Sequence, residues 1–361
     1  SIEPLRTVNC TSGSLPKVIP LDTESLSLTN HSLDSLPADI FVSLHHLQEL
    51  NLTYNGLNHL GRGHVFNNLS HLKVLDLSHN NLRQLFAGVF RGLRRLQALF
   101  ISDGGLKYLD EHTFDGIEML NELVLSYNQI SSIYLELFQS ISNLKTLNLE
   151  HNSISHLTGG IFTSMTTLQK LQLSHNKIIT INDNAFVGLD MLEELHLENN
   201  SLVRVPNIAL QSLKRIVAIR MDNNPLQQLS TGDFVHLPAN TITLTHCPHL
   251  TLIDRGAFWD LPNLYTLVLH SNPKLAYIDS QAFVGLPLLH TIELYDCGLK
   301  AIQYDIMSNI LGNGLTTSVT PNSGVKHDHH FKHRPITASL QGNPFVCDCN
   351  VHYLYEVCLH F

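Results

Sequence analysis

Long apolar runs are missing from this sequence of 361 residues, and none approaches the roughly 18 consecutive apolar residues that a membrane-spanning helix requires. A basic excess is missing too, because 22 Lys and Arg stand against 31 Asp and Glu, for a formal net charge of −9. Proteins that bind nucleic acid normally carry a basic surface, so the charge argues against that partner class. No signal peptide is visible, and we therefore expect a mature or trimmed segment.

Signatures of catalysis are absent as well. The sequence contains no G-x-S-x-G, no H-E-x-x-H, no glycine loop that would cradle a phosphate and no identifiable cysteine nucleophile. Its 23 histidines bring some histidine near a Ser or Asp by chance, so such proximity carries no weight. We expect no enzyme activity, no cofactor and no metal site.

What the sequence does contain is one stretch that recurs along the chain. The stretch "LKTLNLEHNSISHL" (144–157) shares the pattern L-x-x-L-x-L-x-x-N-x-L-x-x-L with 47–60, 72–85, 120–133, 168–181 and 192–205. Less regular copies follow at 216–229, 264–278 and 289–302. Internal repeats of this length are typical of solenoid proteins.

The asparagine of the motif recurs with a step of 24 residues, give or take one. Its position is taken in turn by Asn55, Asn80, Gly104, Asn128, Asn152, Asn176, Asn200, Asn224, Cys247, Asn272 and Cys297. A second motif keeps the same step, with pairs such as Phe90 and Leu93, Phe138 and Ile141, Phe186 and Leu189, and Phe283 and Leu286. Each copy is predicted to form a short strand whose L-x-L leucines point inward, with the asparagine amide bonding backbone groups of neighbouring coils. Because one repeat cannot bury its own apolar face, stability must come from stacking.

These motifs resemble the extracellular, 24-residue class of the leucine-rich-repeat family over nearly the whole chain. The resemblance implies an α/β-type solenoid (horseshoe) with a parallel concave β-sheet of about 13 strands and an irregular or short-helical convex side. It divides the chain into a partial N-terminal cap (1–22), about 12 repeats (23–302), an irregular histidine-rich and basic insertion (303–336), and a last repeat with a partial C-terminal cap (337–361).

The family's caps carry cysteines, and the resemblance implies disulfides here. Cys10 matches the last cysteine of an N-terminal cap, so it is either free or has a partner upstream that has been trimmed away, which we favour. The candidates in the C-terminal cap are Cys347, Cys349 and Cys358, with Cys347 or Cys349 bonding Cys358. Cys247 and Cys297 lie two repeats apart, about 10 Å by strand spacing, which is too far for a disulfide, and we expect buried thiols.

N-glycosylation sequons indicate the compartment. They occur at Asn9, Asn30, Asn51, Asn68 and Asn199. Together with the terminal cysteines they favour an extracellular location, either secreted or at the cell surface as the ectodomain of a membrane protein. A glycan on Asn51 would disfavour docking at the first repeats.

The insertion 303–336 interrupts the series, because the step from Cys297 to Asn343 is 46 residues. Its interpretation stays open between a solvated loop and a finger that grips a partner beside the concave face. Zinc binding by His327, His329, His330 and His333 is a third interpretation, which lacks a fixed geometry.

Partner binding is predicted on the outward positions of the strands, since concave faces bind extended partners in this family. An acidic stretch with aromatic candidates for hot spots predicts a protein with a basic patch. The candidate residues are Phe100, Glu122, Tyr127, Asn148, Glu150, Lys170, Glu194, His196, Glu198, Arg220 and Asp222. A second candidate is the lateral edge, whose histidines would make association sensitive to pH. Its residues are Tyr54, His79, Asp103, Tyr127, His151, His175, Asn199, Asn223 and His246.

The sequence therefore predicts a non-catalytic extracellular protein-recognition module that resembles the ectodomains of neuronal adhesion and guidance receptors. Alternatives are an innate immune receptor of the Toll-like type, a hormone receptor, and a secreted structural protein of the matrix. The expected partners are one or more extracellular or cell-surface proteins and N-linked glycans, with no nucleic acid and no membrane contact, and a homodimer is allowed.

Overall fold

The computed structural model describes residues 6–11, 13, 15, 16, 18–37, 39–61, 65–302, 306 and 337–345. These fall into two compact units. Unit 1 comprises the described residues of Ser1–Ser201 and Ser212–Arg215, and unit 2 those of Leu202–Gln211 and Ile216–Phe361.

Unit 1 contains thirteen short strands. They are β1 (Thr7–Cys10), β2 (Ser25–Leu28), β3 (Glu49–Asn51), β4 (Val74–Asp76), β5 (Gln84–Leu85), β6 (Ala98–Phe100), β7 (Tyr108–Leu109), β8 (Glu122–Val124), β9 (Thr146–Asn148), β10 (His156–Leu157), β11 (Lys170–Gln172), β12 (Thr180–Ile181) and β13 (Glu194–His196). Nine of them pair side by side in parallel, in the order β1-β2-β3-β4-β6-β8-β9-β11-β13. The two-residue strands pair separately, β5 with β7 and β10 with β12. Helix α1 (Leu135–Phe138) and a 3-10 turn (Gln139–Ile141) lie in one coil.

Unit 2 repeats this plan. Helix α2 (Asn207–Leu210) is followed by β14 (Ala218–Arg220), β15 (Gln228–Leu229), β16 (Thr241–Thr243), β17 (Leu252–Ile253), β18 (Thr266–Val268), β19 (Tyr277–Ile278), β20 (Thr291–Glu293) and β21 (Thr337–Ser339). Five strands pair in parallel as β14-β16-β18-β20-β21, and β15-β17-β19 form a second small sheet. Together the two parallel series contain fourteen strands among the described residues, which confirms the predicted parallel architecture and its count of about 13.

Leucines and phenylalanines of the motif form the core, as predicted. Leu147 and Leu149 are fully buried, as are their equivalents from Leu26 to Leu294. On the opposite side of each coil, the phenylalanines stack on one another: Phe90 lies 6.5 Å from Phe66 and 6.3 Å from Phe114 between ring centroids. Unit 2 has the same column, with Phe258 5.3 Å from Phe234 and 5.9 Å from Phe283.

The asparagines bond backbone groups between coils. In unit 1, Asn152 Nδ2 donates to the carbonyl oxygens of Leu125 (2.9 Å), Leu149 (3.0 Å) and Glu150 (3.2 Å). Its Oδ1 accepts from the N–H of Ile130 at 3.0 Å. Buried strand-end groups that have no sheet partner are thereby satisfied.

Cysteines take the asparagine position twice in unit 2. Cys247 Sγ lies 3.6 Å from the carbonyl oxygen of Thr245, and Cys297 Sγ lies 3.3 Å from that of Leu269. Both thiols are free and buried, which agrees with the rejected disulfide. Burial raises the pKa of Cys247 to about 12, so this thiol is an inert part of the core.

The last coil of unit 2 continues the ladder across the insertion. β21 pairs in parallel with β20, with Thr291 opposite Thr337. Asn343 Nδ2 donates to the carbonyl oxygens of Leu294 (2.7 Å) and Leu340 (2.8 Å), as its equivalents do elsewhere. Apart from residue 306, the insertion lies outside the described residues, and so do its histidines and Cys347, Cys349 and Cys358.

Candidate functional site

The predicted binding face of unit 1 consists of the residues that flank the buried leucine in each strand. Strands β4, β6, β8, β9, β11 and β13 all show one buried residue between two half-buried ones. Because side chains alternate along a strand, the two flanking residues point away from the core. Parallel pairing in register then places equivalent residues of successive repeats side by side on this face.

An apolar patch occupies part of this face. Val74 is in register with Ala98, and Phe100 is in register with Val124. All four side chains are half-buried although they project from the sheet. Among them only Phe100 was a predicted site residue. The signal for the others was available, since apolar residues stand at outward positions of the motif.

Acidic and amide side chains border this patch. Asp76 is opposite Phe100, Glu122 is opposite Ala98, and Asn148 is opposite Val124. The Oδ1 of Asn148 accepts a hydrogen bond from the N–H of Glu150 at 2.9 Å. The patch is therefore framed by negative charge.

Four of the predicted site residues form a hydrogen-bonded network on β11, on β13 and just after β13. Lys170 Nζ lies 3.0 Å from Glu194 Oε2. The ring of His196 lies between two carboxylates, with Nε2 3.3 Å from Glu194 and Nδ1 3.1 Å from Glu198. The hydroxyl of Ser174 donates to Glu198 Oε2 at 2.5 Å. We call these residues with Ser174 the acid–histidine network.

The pKa values of three groups are shifted within this network. Burial opposes the charged form of His196, but the hydrogen bond and charge of Glu198 outweigh it and raise the pKa of His196. For Glu198 burial is again the largest single influence, yet the bonds from His196 and Ser174 together lower its pKa. The hydrogen bond from Lys170 is the main reason why the pKa of Glu194 is lowered. Glu194 and Glu198 are thus compensated within the protein itself.

Beside the face runs a row of residues with left-handed backbone, one before each motif asparagine. In unit 1 this rim row is Tyr54, His79, Asp103, Tyr127, His151, His175 and Asn199, with φ between 52° and 59°. Unit 2 carries the equivalent residues Asn223, His246, Ser271 and Asp296. Asn, Asp and His tolerate this conformation best among residues other than glycine. The left-handed backbone therefore explains why histidine is frequent at this position.

Rings of the rim row stack on one another. Tyr127 was predicted both as a concave-face candidate and as part of the lateral edge, and it lies in the rim row, stacked on His151 with centroids 4.1 Å apart. His151 stacks in turn on His175 at 4.0 Å, with 9° between the ring planes. The Nδ2 of Asn199 lies 3.2 Å from Nε2 of His175. Burial lowers the pKa of His151 and the neighbouring His175 lowers it further, while Glu150 opposes both.

The last two predicted site residues belong to unit 2. Arg220 is exposed at the end of β14. Asp222 accepts hydrogen bonds from Thr243 Oγ1 and from the N–H of Thr245, both at 2.6 Å, so its carboxylate holds together neighbouring coils of unit 2.

The five sequons lie on the surface. Asn9, Asn30 and Asn68 are exposed, whereas Asn51 and Asn199 are half-buried. The Oδ1 of Asn51 accepts from both the N–H and the hydroxyl of Thr53, at 2.9 and 2.8 Å. Glycosylation stays a prediction at all five.

An open cavity of about 490 Å³ lies away from the strand face, lined by Asn58, His59, Gly61, Arg83, Gln84 and Phe86. None of the predicted site residues lines it. Over the described ranges, no helix has the length and apolar character needed to cross a membrane.

A sequence model of the family described as "Leucine rich repeat" matches residues 62–106, 94–154, 142–202 and 239–299, which together make up more than half of the chain. The chain belongs to the leucine-rich-repeat family. Members of this family are generally non-catalytic modules that bind proteins. A comparison with curated proteins gives no match.

Solved leucine-rich-repeat structures share the fold. TLR13 in its complex with ssRNA13 aligns with a TM-score of 0.62 and 21% identity, over 94% of this chain and 53% of that one. Toll from the Drosophila Toll–Spatzle complex aligns with a TM-score of 0.61 and 23% identity, over 81% of this chain and 42% of that one. The leucine-rich-repeat domain of APL1B aligns with a TM-score of 0.61 and 20% identity, over 88% of this chain and 94% of that one. The chain thus spans about half the length of the first two.

Proposed function

We propose that this chain is a non-catalytic extracellular recognition module, part of a cell-surface receptor or adhesion molecule, that binds a protein on the strand face of unit 1. The observation that carries this proposal is the patch of Val74, Ala98, Phe100 and Val124, which projects from the sheet and not into the core. Apolar side chains at the centre of a face with a polar border are the usual arrangement of a protein-binding hot spot.

The border of the patch defines the chemistry of the partner. Glu194 and Glu198 are compensated by Lys170 and His196, so they contribute little net attraction. Asp76, Glu122 and Glu150 place negative charge closer to the patch. The proposed partner therefore inserts an apolar side chain next to Phe100 and surrounds it with Lys or Arg.

Two receptor classes compete for the biological setting. The neuronal adhesion and guidance class rests on the sequence resemblance alone. A Toll-like innate immune receptor is supported by likeness to Toll, whose structure is a complex with Spatzle, and to TLR13, whose structure is a complex with RNA. A net charge of −9 argues against an RNA ligand for this chain. Hormone binding and a structural role in the matrix are further alternatives.

The test captures secreted and cell-surface partners with the glycosylated chain and then measures their affinity for variants. Phe100→Ala and Glu150→Lys should each weaken binding by about tenfold or more, as hot-spot residues do. Tyr108→Ala is the matched control, because Tyr108 is an aromatic residue that is 67% exposed on β7, outside the strand face. A partner that binds Phe100→Ala as tightly as the parent would refute the proposed face, and preferential binding of RNA would refute the partner class.

A further inference from the structure

Three metal-ligating side chains meet where the strand face joins the rim row of unit 1. The potential ligand atoms of Glu150, His151 and His175 all lie within 4.8 Å of one another. Nε2 of His151 lies 4.0 Å from Oε1 of Glu150. Such a group arises because residues 24 positions apart are brought side by side by stacking of the coils.

The backbone that carries these side chains is fixed by hydrogen bonds between coils. The N–H of His151 donates to the carbonyl oxygen of Ser174 at 3.0 Å, and the N–H of His175 donates to the backbone carbonyl oxygen of Glu198 at 2.9 Å. The N–H of Glu150 is held by Asn148 at 2.9 Å. Because the backbone is held, only side-chain torsions have to move when a ligand binds.

Two imidazoles and one carboxylate are a ligand set typical of Zn²⁺ sites that keep a fourth position open. An ion equidistant from three atoms 4.8 Å apart would lie about 2.8 Å from each, against about 2.0–2.2 Å in zinc sites. Each ligand atom therefore has to approach by less than about 1 Å. Because His151 and His175 are stacked with 9° between their ring planes, the two rings must also turn out of the stack so that their in-plane lone pairs point at one ion. At neutral pH most histidines are uncharged and can offer a lone pair.

We propose that Glu150, His151 and His175 bind a divalent transition-metal ion of the Zn²⁺ class at the rim of unit 1. The fourth position faces solvent and remains available to water or to a side chain of a bound partner. Two neighbouring groups contact the ligands: Tyr127 stacks on His151, and the Asn199 amide contacts Nε2 of His175.

The same rim offers an internal comparison. His79 and Asp103 form a pair with 3.0 Å between Nδ1 and Oδ2, and Tyr54 stacks on His79 at 4.2 Å. This pair shares the backbone conformation and the aromatic neighbour, but it supplies two ligands and not three. It should bind Zn²⁺ much more weakly than the proposed site.

The experiment titrates Zn²⁺ into the full chain by calorimetry. A parent in which His327, His329, His330 and His333 are replaced by Gln removes the histidine-rich insertion as a competing site. His175→Tyr is the decisive variant, because Tyr stands at the equivalent positions 54 and 127 and preserves a stackable ring without the ligand. We expect His175→Tyr and Glu150→Gln each to weaken Zn²⁺ binding by about tenfold or more, since each removes one of three ligands. His79→Tyr should leave it unchanged.

Chemical protection provides a second measurement that does not depend on substitution. Zn²⁺ should shield His151 and His175 of the parent from diethyl pyrocarbonate, as read by mass spectrometry, while Ca²⁺ should not, because it prefers oxygen ligands. Zn²⁺ binding that is equal in the parent and in His175→Tyr, or absence of protection at His151 and His175, would overturn the proposal.

Discussion

The side-chain amide of Asn152 donates a hydrogen bond to the carbonyl oxygen of Leu125, 2.9 Å away in the preceding coil. This bond crosses from one repeat to the next at a place where the strand has ended. Equivalent bonds join Asn128 to Ile101 at 2.6 Å and Asn176 to Leu149 at 2.9 Å. The asparagines therefore act between repeats, so their loss should affect the stacking of coils more than any single coil.

Replacing Asn152 with Ala should destabilise unit 1 by about 3 kcal/mol, because several buried backbone groups lose their partner. Asn152→Cys is the matched control, since the chain itself uses cysteine at this position in Cys247. Asn152→Cys should lose less stability than Asn152→Ala, because the thiol is still a weak hydrogen-bond donor. Urea unfolding of the parent, Asn152→Ala and Asn152→Cys measures the order of their stabilities. An Ala variant as stable as the parent would contradict the prediction.

The phenylalanine column should tolerate truncation poorly. Phe90 is fully buried between Phe66 and Phe114, so Phe90→Ala should cost about 3–5 kcal/mol through lost burial and a cavity. Phe86, four residues earlier, is 49% exposed, and Phe86→Ala should cost less than about 1 kcal/mol. Equilibrium unfolding of both variants measures the two losses in the free energy of unfolding. Equal losses would contradict the prediction.

The contribution of the acid–histidine network to stability should be lost both at low pH and at high pH. The raised pKa of His196 means that its contribution is complete below about 6.5, the unfolded value, and is lost as the pH rises through the higher folded value. The lowered pKa values of Glu194 and Glu198 mean that their contribution is present above about 4.5 and is lost at lower pH. The network should therefore stabilise unit 1 most between about pH 4.5 and 6.5.

Unfolding free energies of the parent, His196→Gln, Glu198→Gln and the double variant, taken from pH 4 to 8, measure this effect. The coupling energy between the two residues should fall as the pH rises above this window. A coupling energy that stays constant from pH 5 to 8 would show that His196 does not gain a proton on folding.

Asp233 of unit 2 should make stability fall with rising pH. Burial raises its pKa to about 6, although the N–H of Ser230 donates to its carboxylate at 2.6 Å. The neutral acid is favoured in the folded chain, so the contribution of Asp233 to stability is complete below about pH 3.8 and is lost as the pH rises to about 6. A shift of this size corresponds to about 3 kcal/mol. Asp233→Asn should flatten the decline between pH 4 and 6, and an unchanged slope in the variant would contradict the assignment.

Features that repeat with the chain could be predicted from the sequence. Leu147, Leu149, Asn152 and Phe138 recur with a fixed step of 24 residues, give or take one, and their equivalents make similar contacts in most coils, so periodicity defines their environment. The rejection of a disulfide between Cys247 and Cys297 followed from the same spacing and is confirmed. Backbone conformation at the rim row was not predicted, because nothing in the motif fixes the residue that stands there.

Contacts between outward side chains depend on torsions that the sequence does not define. Glu198 carried a prediction as a docking charge, yet it is held by His196 and Ser174. The alternation Glu194, His196, Glu198 was a usable signal, since residues two apart on a strand share a face. Phe100 was predicted as an aromatic anchor, whereas its apolar neighbours were not predicted as site residues although they stand at outward positions of the motif. Strand register places them beside Phe100.

Pairing of β21 with β20 continues the register of the earlier coils although 43 residues separate Glu293 from Thr337. Loop-closure entropy grows slowly with length, by roughly 0.6 kcal/mol for each doubling, so a longer connection at this place costs the stacked coils little. The junction between Ile302 and Thr337 is thus a natural grafting point. A reporter domain or an epitope could be inserted there without altering the strand pairing on which the stability of the solenoid depends.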